Sequence, residues 1–346
     1  MEWLNYWSGL LQVGKNCRCL MALSLVFLSG MAWSQRASEF RVRDPFVVRV
    51  DDVYYLYNST TLGEGAPGVS VRTSRDLVEW SQPQRVMDAP SWVKWVWAPE
   101  VHKYNGAYYM LVTLKAPPDP ANPVKLLGPE GWKPDLNDPS WHWTYAFRAD
   151  RPEGPFKMVS KGPLTPKEWV GLDGTLAIQD GKPYLVFTHD WAQIADGTIE
   201  LAPLKDDLSA LAGPPKTLFR ASCVAPGTVR GVTDGPFVYR SRTGKLFITW
   251  STHNPEKLRK GERGYCVVAS ESASGRLEGP WGNHRIIFDE NGGHGMVFET
   301  VSGERKFTIH HPEIGGQERT TFLDFIDDGD SISIRRPKAK SPDSSL

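Results

Sequence analysis

Cysteine is scarce: four in 346 residues, with Cys17 and Cys19 near the N-terminus and only Cys223 and Cys266 after it. No Cys-x-x-Cys pair exists, so a structural zinc site of that type is excluded. A Cys223–Cys266 disulfide and two unrelated buried thiols both remain open. An excess of charge is also lacking, because 40 Lys and Arg balance 40 Asp and Glu. That removes the electrostatic footprint of a nucleic-acid or anionic-membrane binder and points to a neutral partner. There is no Gly-x-Ser-x-Gly elbow, no Gly-rich phosphate loop and no His-Glu-x-x-His helix, which removes the common nucleophile, phosphate and zinc-peptidase sites. Long apolar runs are missing except for CLMALSLVFLSGMAW, which is shorter than the roughly 20 residues of a spanning helix.

Lys15 and Arg18 lead into that run, and Ala32 and Ser34 supply small residues before Gln35. This is the arrangement of a signal peptide over residues 1–34, which predicts a secreted or periplasmic protein with no stable membrane insertion after cleavage. Residues 35–346 are then one domain. Aromatic residues and chain breakers are plentiful, with 14 Trp, 27 Pro and 32 Gly. Gly and Pro interrupt helices while aromatic side chains suit pleated surfaces, so an all-β fold is expected.

Past residue 40 one pattern recurs: a short apolar strand, a Gly-containing turn, then a strand rich in aromatic and β-branched residues. It occurs as DPFVVRVDDVYYLYNST, APEVHKYNGAYYMLVTL, DGTLAIQDGKPYLVFTHDW, DGPFVYRSRTGKLFITWS and GHGMVFETVSGERKFTIHH. Asn105-Gly106, Asp180-Gly181 and Thr243-Gly244 are hairpin turn signals. Outer strands such as VSVRTSRDLVEW and GYCVVASESASGRLEGPW bring each copy to four strands. Repetition roughly every 60 residues predicts a five-bladed β-propeller. The Pro- and Asp-rich stretch between Leu114 and Trp141 reads as a long surface loop, and the polar tail KAKSPDSSL as a frayed end.

In a propeller the innermost strands line a central channel, so their equivalent ends converge. The starting positions here are Asp44, Glu100, Asp173, Asp234 and His294, each beside Pro or Gly. Any one of them can serve as a turn cap. Five together are harder to explain as caps, because burying such a ring is costly unless its members pair, bind a cation or do chemistry. Several carboxylates around a neutral, aromatic-rich pocket suit glycoside hydrolysis, in which one activates water and another protonates the leaving oxygen. Trp97 and Trp191 offer flat faces for a sugar ring, and Arg43, His189 and His253 offer hydrogen bonds to its hydroxyls. His310 and His311 are adjacent on a strand and point to opposite faces, so they do not chelate one ion together.

These blocks resemble glycoside hydrolase family 43 from about Arg41 to Arg335. Arg43-Asp44-Pro45-Phe46 resembles the first-blade motif, which implies Asp44 as the general base of an inverting displacement. Leu172-Asp173-Gly174-Thr175-Leu176 resembles the segment whose Asp tunes and orients the acid, which implies that role for Asp173. Trp97-Ala98-Pro99-Glu100 resembles the second-blade signature and implies a sugar-hydroxyl or network role for Glu100. Thr233-Asp234-Gly235-Pro236-Phe237 resembles the fourth-blade motif, with Asp234 where the family usually has Glu, one methylene longer. Gly292-Gly293-His294-Gly295 resembles the segment that places a His near an axial calcium through the ion's water shell, so His294 is the metal-associated candidate and structural calcium the only ion implied; no cofactor is required. The resemblance implies oligo- or polysaccharide substrates, with α-L-arabinofuranosides ahead of β-D-xylosides and galactofuranosides. A sugar-binding propeller that has lost catalysis, or a phosphorylase, are the alternatives.

Overall fold

The computed structural model describes residues 34–59, 66–134, 140–224 and 231–337. The expected signal peptide, apart from Ser34, and the C-terminal tail lie outside the described residues. The fold is all-β. Its two α-helices among the described residues are one-turn segments, Trp191–Ile194 and Pro255–Arg259.

Each sequence repeat forms an antiparallel meander. The first runs through Phe46–Val50, Val53–Ser59, Gly68–Ser74 and Gln84–Asp88, and the second through Trp95–Tyr104, Ala107–Lys115, His142–Ala149 and Lys157–Met158. The third comprises Gly171–Gln179, Lys182–His189, Thr198–Pro203 and Lys216–Arg220. Asp234–Arg240, Leu246–His253, Tyr265–Ser272 and Trp281–Phe288 make the fourth, and Gly293–Glu299, Arg305–His311, Arg319–Asp327 and Ile332–Arg335 the fifth. The second and third share one parallel rung, Gly171 with Trp143. The turn signals behave as their chemistry dictates. Asn105 and Gly106 both take positive φ, as do Asp180 and Gly181, the left-handed pair that lets a two-residue hairpin follow the strand twist.

The second strand of each meander is covered on both faces, which is why AYYMLVTL reads as a continuous apolar run and is buried throughout. Apolar clusters fill the spaces between consecutive sheets. Tyr57, Val71, Met110 and Phe147 pack between the first and second, and Leu111, Leu185, Phe187 and Ala202 between the second and third. Val186, Ile199, Ile248 and Trp250 join the third to the fourth, and Phe247, Val267, Phe307 and Leu323 the fourth to the fifth. Phe46, Leu56, Met296 and Phe298 then pack the fifth sheet against the first. Each fully buried side chain of this size contributes about 1.5–3 kcal/mol, so sheet-to-sheet packing dominates the stability. The first strands are neighbours in the same cyclic order, the fifth lying beside the first.

The stretch after Lys115 has no strand or helix among its described residues and is fastened down by a few contacts. Trp141 Nε1 donates to Asn122 O at 2.7 Å, and Gln193 Nε2 donates to Lys125 O at 3.0 Å. Cys223 and Cys266 are free thiols, which decides between the two readings of that pair.

Candidate active site

Near its start, each first strand has one residue in the left-handed region: Asp44 (φ 53), Ala98 (φ 44), Asp173 (φ 52), Gly235 (φ 49) and His294 (φ 47). Each precedes Pro or Gly: Pro45, Pro99, Gly174, Pro236 and Gly295. Non-glycine residues rarely adopt this conformation, and at the four non-glycine positions it marks local strain of about 1–3 kcal/mol each. Four of the five strands also carry a bulge here, at Trp97/Glu100, Leu172/Thr175, Asp234/Phe237 and Gly293/Met296, which re-aims the side chains around it. The equivalence expected from sequence is therefore shifted in two repeats. Ala98, not Glu100, matches Asp44 and Asp173, and Gly235, not Asp234, occupies the fourth position. In both cases the left-handed residue is the one before proline, Ala98 before Pro99 and Gly235 before Pro236.

That shift separates the three carboxylates by environment. Asp44 and Asp173 are buried, whereas Asp234 keeps partial solvent access. Gly235 lies against His294, where a Cβ would stand 2.6 Å from the ring, and its N–H donates to Asp173 Oδ2 at 3.1 Å. The Asp173 N–H in turn donates to Thr113 Oγ1 at 3.0 Å. His294 Nδ1 stands 3.2 Å from Asp44 Oδ1 and 3.7 Å from Asp173 Oδ2, while its own N–H donates to Ser251 Oγ at 2.8 Å. Tyr265 donates its hydroxyl hydrogen to Asp234 Oδ2 at 2.9 Å.

Burial pushes the Asp44 carboxyl up, but His294, Arg43 and His310 outweigh it and hold the group well below the usual carboxylate range. Burial, with Asp44 as a negative neighbour, drives Asp173 well above that range. Burial and the nearby Asp173 push Asp234 up to about 7, against the opposing pull of His294 and the Tyr265 hydroxyl. The site therefore keeps one carboxylate ionised and raises the proton affinity of the other two.

Within this geometry the family assignment can be made. The family model for glycosyl hydrolases family 43 matches residues 37–327. The chain belongs to this family. Similar solved structures include an endo-arabinase from Bacteroides thetaiotaomicron VPI-5482, 31% identical with a TM-score of 0.69, covering 85% of this chain and 98% of that one. Curated relatives include an extracellular exo-alpha-(1->5)-L-arabinofuranosidase of Cellvibrio japonicus (strain Ueda107), 22% identical over 262 residues, 71% of this chain and 67% of the relative. A xylan 1,3-beta-xylosidase of Vibrio sp is 27% identical over 314 residues, 84% of this chain and 51% of the relative. The family-43 chain thus spans about half the length of the Vibrio enzyme. It is a glycosidase by family.

The other residues singled out in the sequence fall into distinct settings. Arg43 is half-buried beside Asp44 and donates through Nη1 to Glu313 at 2.9 Å and Glu318 at 3.3 Å. Glu100 is buried with Oε2 3.1 Å from His102 Nε2; it also lines a small cavity with Asp44 and His294. Trp97 is half-buried, edge-on to His142, with the Lys115 ammonium 4.7 Å over its ring. Trp191 is half-buried and meets Trp132 edge-on. His189 is engaged inside the protein: it stacks on Trp169 at 4.2 Å, and its Nε2 lies 2.8 Å from Gln193 Oε1. His253 lies against Tyr265, and its buried Nδ1 has no hydrogen-bond partner among the described residues. Calcium takes six to eight oxygens. His294 instead turns Nδ1 to two carboxylates, and among the described residues no three His, Cys, Asp or Glu side chains converge as ligands. These side chains do not form a direct calcium cage.

Sequence reasoning passed over His310, Glu313 and Tyr265. His310 and His311 do face opposite ways, but His310 is fully buried, with Nδ1 3.2 Å from Asp44 Oδ1 and 3.3 Å from the Asp44 backbone nitrogen. Its Nε2 lies 2.5 Å from Glu313 Oε2, and against the cost of burial the two carboxylates push the imidazole up from its ordinary value. The signal was available only as a buried-side His opposite the Gly293–Gly295 segment, with nothing local to name Asp44 as its partner.

Proposed function

We infer that this family-43 glycosidase is an exported five-bladed β-propeller that hydrolyses furanosides, α-L-arabinofuranosides first, with inversion at the anomeric carbon. Five four-stranded meanders, cyclic packing and converging first strands support the propeller. The arabinan-directed names of the Cellvibrio and Bacteroides relatives support the substrate, and the extracellular Cellvibrio relative supports export.

The observation that carries the mechanism is the meeting of three meanders around His294: its ring faces the Asp44 and Asp173 carboxylates and packs on Gly235, the residue after Asp234, a setting that favours an ionised Asp44 and pushes Asp234 up to about 7. Asp44 takes a proton from water as the water oxygen bonds to the anomeric carbon. Asp234 gives its proton to the departing glycosidic oxygen as that bond breaks. Negative charge on Asp173 raises the acid's proton affinity, and the Gly235 N–H orients the Asp173 carboxyl. Solvent then carries the proton from Asp44 back to Asp234. Arg43, beside Asp44, binds a sugar hydroxyl, and Trp97 supplies a stacking face.

The test is a screen of aryl furanosides and pyranosides on the mature protein. Hydrolysis of the α-L-arabinofuranoside well above the β-D-xyloside supports the assignment. Preference for the xyloside transfers it to the specificity named for the Vibrio relative, and no turnover of any glycoside leaves a sugar-binding role.

A further inference from the structure

Asp234 is one methylene shorter than the Glu that the family resemblance leads one to expect, and a proton donor must reach within hydrogen-bond distance of the leaving oxygen. A short acid that must also point correctly needs an external hold. The second strand of the fourth meander ends at His253, and its neighbour begins at Tyr265, which is buried at 2% exposure. The Tyr265 ring stacks on His310 with centroids 5.5 Å apart and planes 15° apart. Gly293 has no Cβ, and one built there would stand 2.6 Å from the Tyr265 ring. The Gly292 N–H donates to the Tyr265 carbonyl at 3.0 Å. The phenol is thus clamped between the fourth and fifth meanders, with its hydroxyl on Asp234 Oδ2.

We propose that Tyr265 is the positioning residue of the acid, donating to Asp234 Oδ2 so that the transferable proton sits on Oδ1 and faces the leaving oxygen. This rests on Asp234 being the acid. A carboxylic acid whose one oxygen accepts a strong hydrogen bond carries its hydrogen on the other, and among the described residues no protein group is hydrogen-bonded to Oδ1. The same tyrosine stacks on the histidine that meets Asp44, so acid and base lean on one rigid stack. Asp173, His294 and Asp190 also act on the Asp234 charge. Tyr265 itself faces Glu313, Arg43 and Asp44 in addition to Asp234.

The experiment compares wild type, Tyr265→Phe and Asp234→Ala on aryl glycosides with good and poor leaving groups, with melting curves alongside. Asp234→Ala, which tests the acid itself, should lose about 10²–10⁴-fold on the poor leaving group and far less on the good one. Tyr265→Phe keeps the ring and should lose about tenfold on the poor leaving group alone, with the alkaline limb of kcat/KM moving up by about one pH unit, because a donor that favours the ionised acid is gone. Adding Tyr265→Phe to Asp234→Ala should cost nothing more. Site-specific 3-fluorotyrosine at 265, a stronger donor in the same space, should move the limb down, and it serves if the Phe variant does not fold. If Asp234→Ala discriminates between leaving groups while Tyr265→Phe slows both equally and neither replacement moves the limb, the positioning role is refuted and the acid stands. If Asp234→Ala does not discriminate, both fall together.

Discussion

A group held protonated by its surroundings works against the fold once the solution pH exceeds its proton affinity, and Asp234 offers a direct reading of that conflict. Its carboxyl rises from 3.8 to about 7, worth about 4 kcal/mol at 1.4 kcal/mol per pH unit; partial solvent access reduces this to about 2 kcal/mol. The sign follows from linkage. Between pH 4 and 7 the folded chain binds a proton that the unfolded chain releases, so the contribution is fully present below pH 4 and is lost as the pH rises through 7. Asp234→Asn keeps an oxygen for the Tyr265 hydroxyl and removes the titration. The variant should therefore melt about 4–8 °C above wild type at pH 8, with the gap narrowing through pH 6 and vanishing near pH 4. Thermal unfolding followed by circular dichroism at these three pH values is the assay. A gap that is independent of pH, or an Asn variant less stable at pH 8, would refute the claim that the fold keeps Asp234 protonated.

Other consequences follow from the same geometry. Asp44→Asn should still fold but melt below wild type at neutral pH, because the ionised carboxyl favoured by His294, Arg43 and His310 is gone, and should lose about 10²–10⁴-fold in kcat on arabinofuranosides, read by steady-state kinetics. His310→Gln removes one of the groups that hold Asp44 ionised; the acid limb of kcat/KM should move to higher pH and kcat should fall about tenfold. Gly295→Ala would drive a Cβ to 1.7 Å from the Thr308 carbonyl oxygen, a backbone clash expected to cost more than the 1–3 kcal/mol of ordinary overpacking, visible as a large drop in melting temperature or in soluble yield.

Much of the architecture is legible in the chain because it is locally encoded. Asn105-Gly106 and Asp180-Gly181 demand left-handed turns, and the pairing of Tyr104 with Ala107 and of Gln179 with Lys182 follows from them. The three carboxylates are legible because each sits beside Pro or Gly at a strand start. Their phase is not. Asp234-Gly235-Pro236 contains two residues able to take positive φ, and only packing of Gly235 against His294 selects the glycine, leaving Asp234 one residue earlier and more exposed. Tyr265 and His310 were missed for a different reason: Tyr265 meets Asp234 across two strands of the fourth meander, 31 residues away in sequence, and His310 meets Asp44 from another meander, 266 residues away, and no local pattern encodes either pairing. His189, offered by its sequence as a hydroxyl binder, also stacks on Trp169 and meets Gln193, contacts with no local signal in the chain.

The central claim is that Asp44 directs water to the face opposite the bond that Asp234 protonates. Proton NMR of the sugar released from an aryl α-L-arabinofuranoside in the first seconds of turnover tests it most directly. The account predicts that the β-anomer appears first and the α-anomer only as mutarotation proceeds. Initial release of the α-anomer would mean a double displacement through a covalent intermediate and would contradict it.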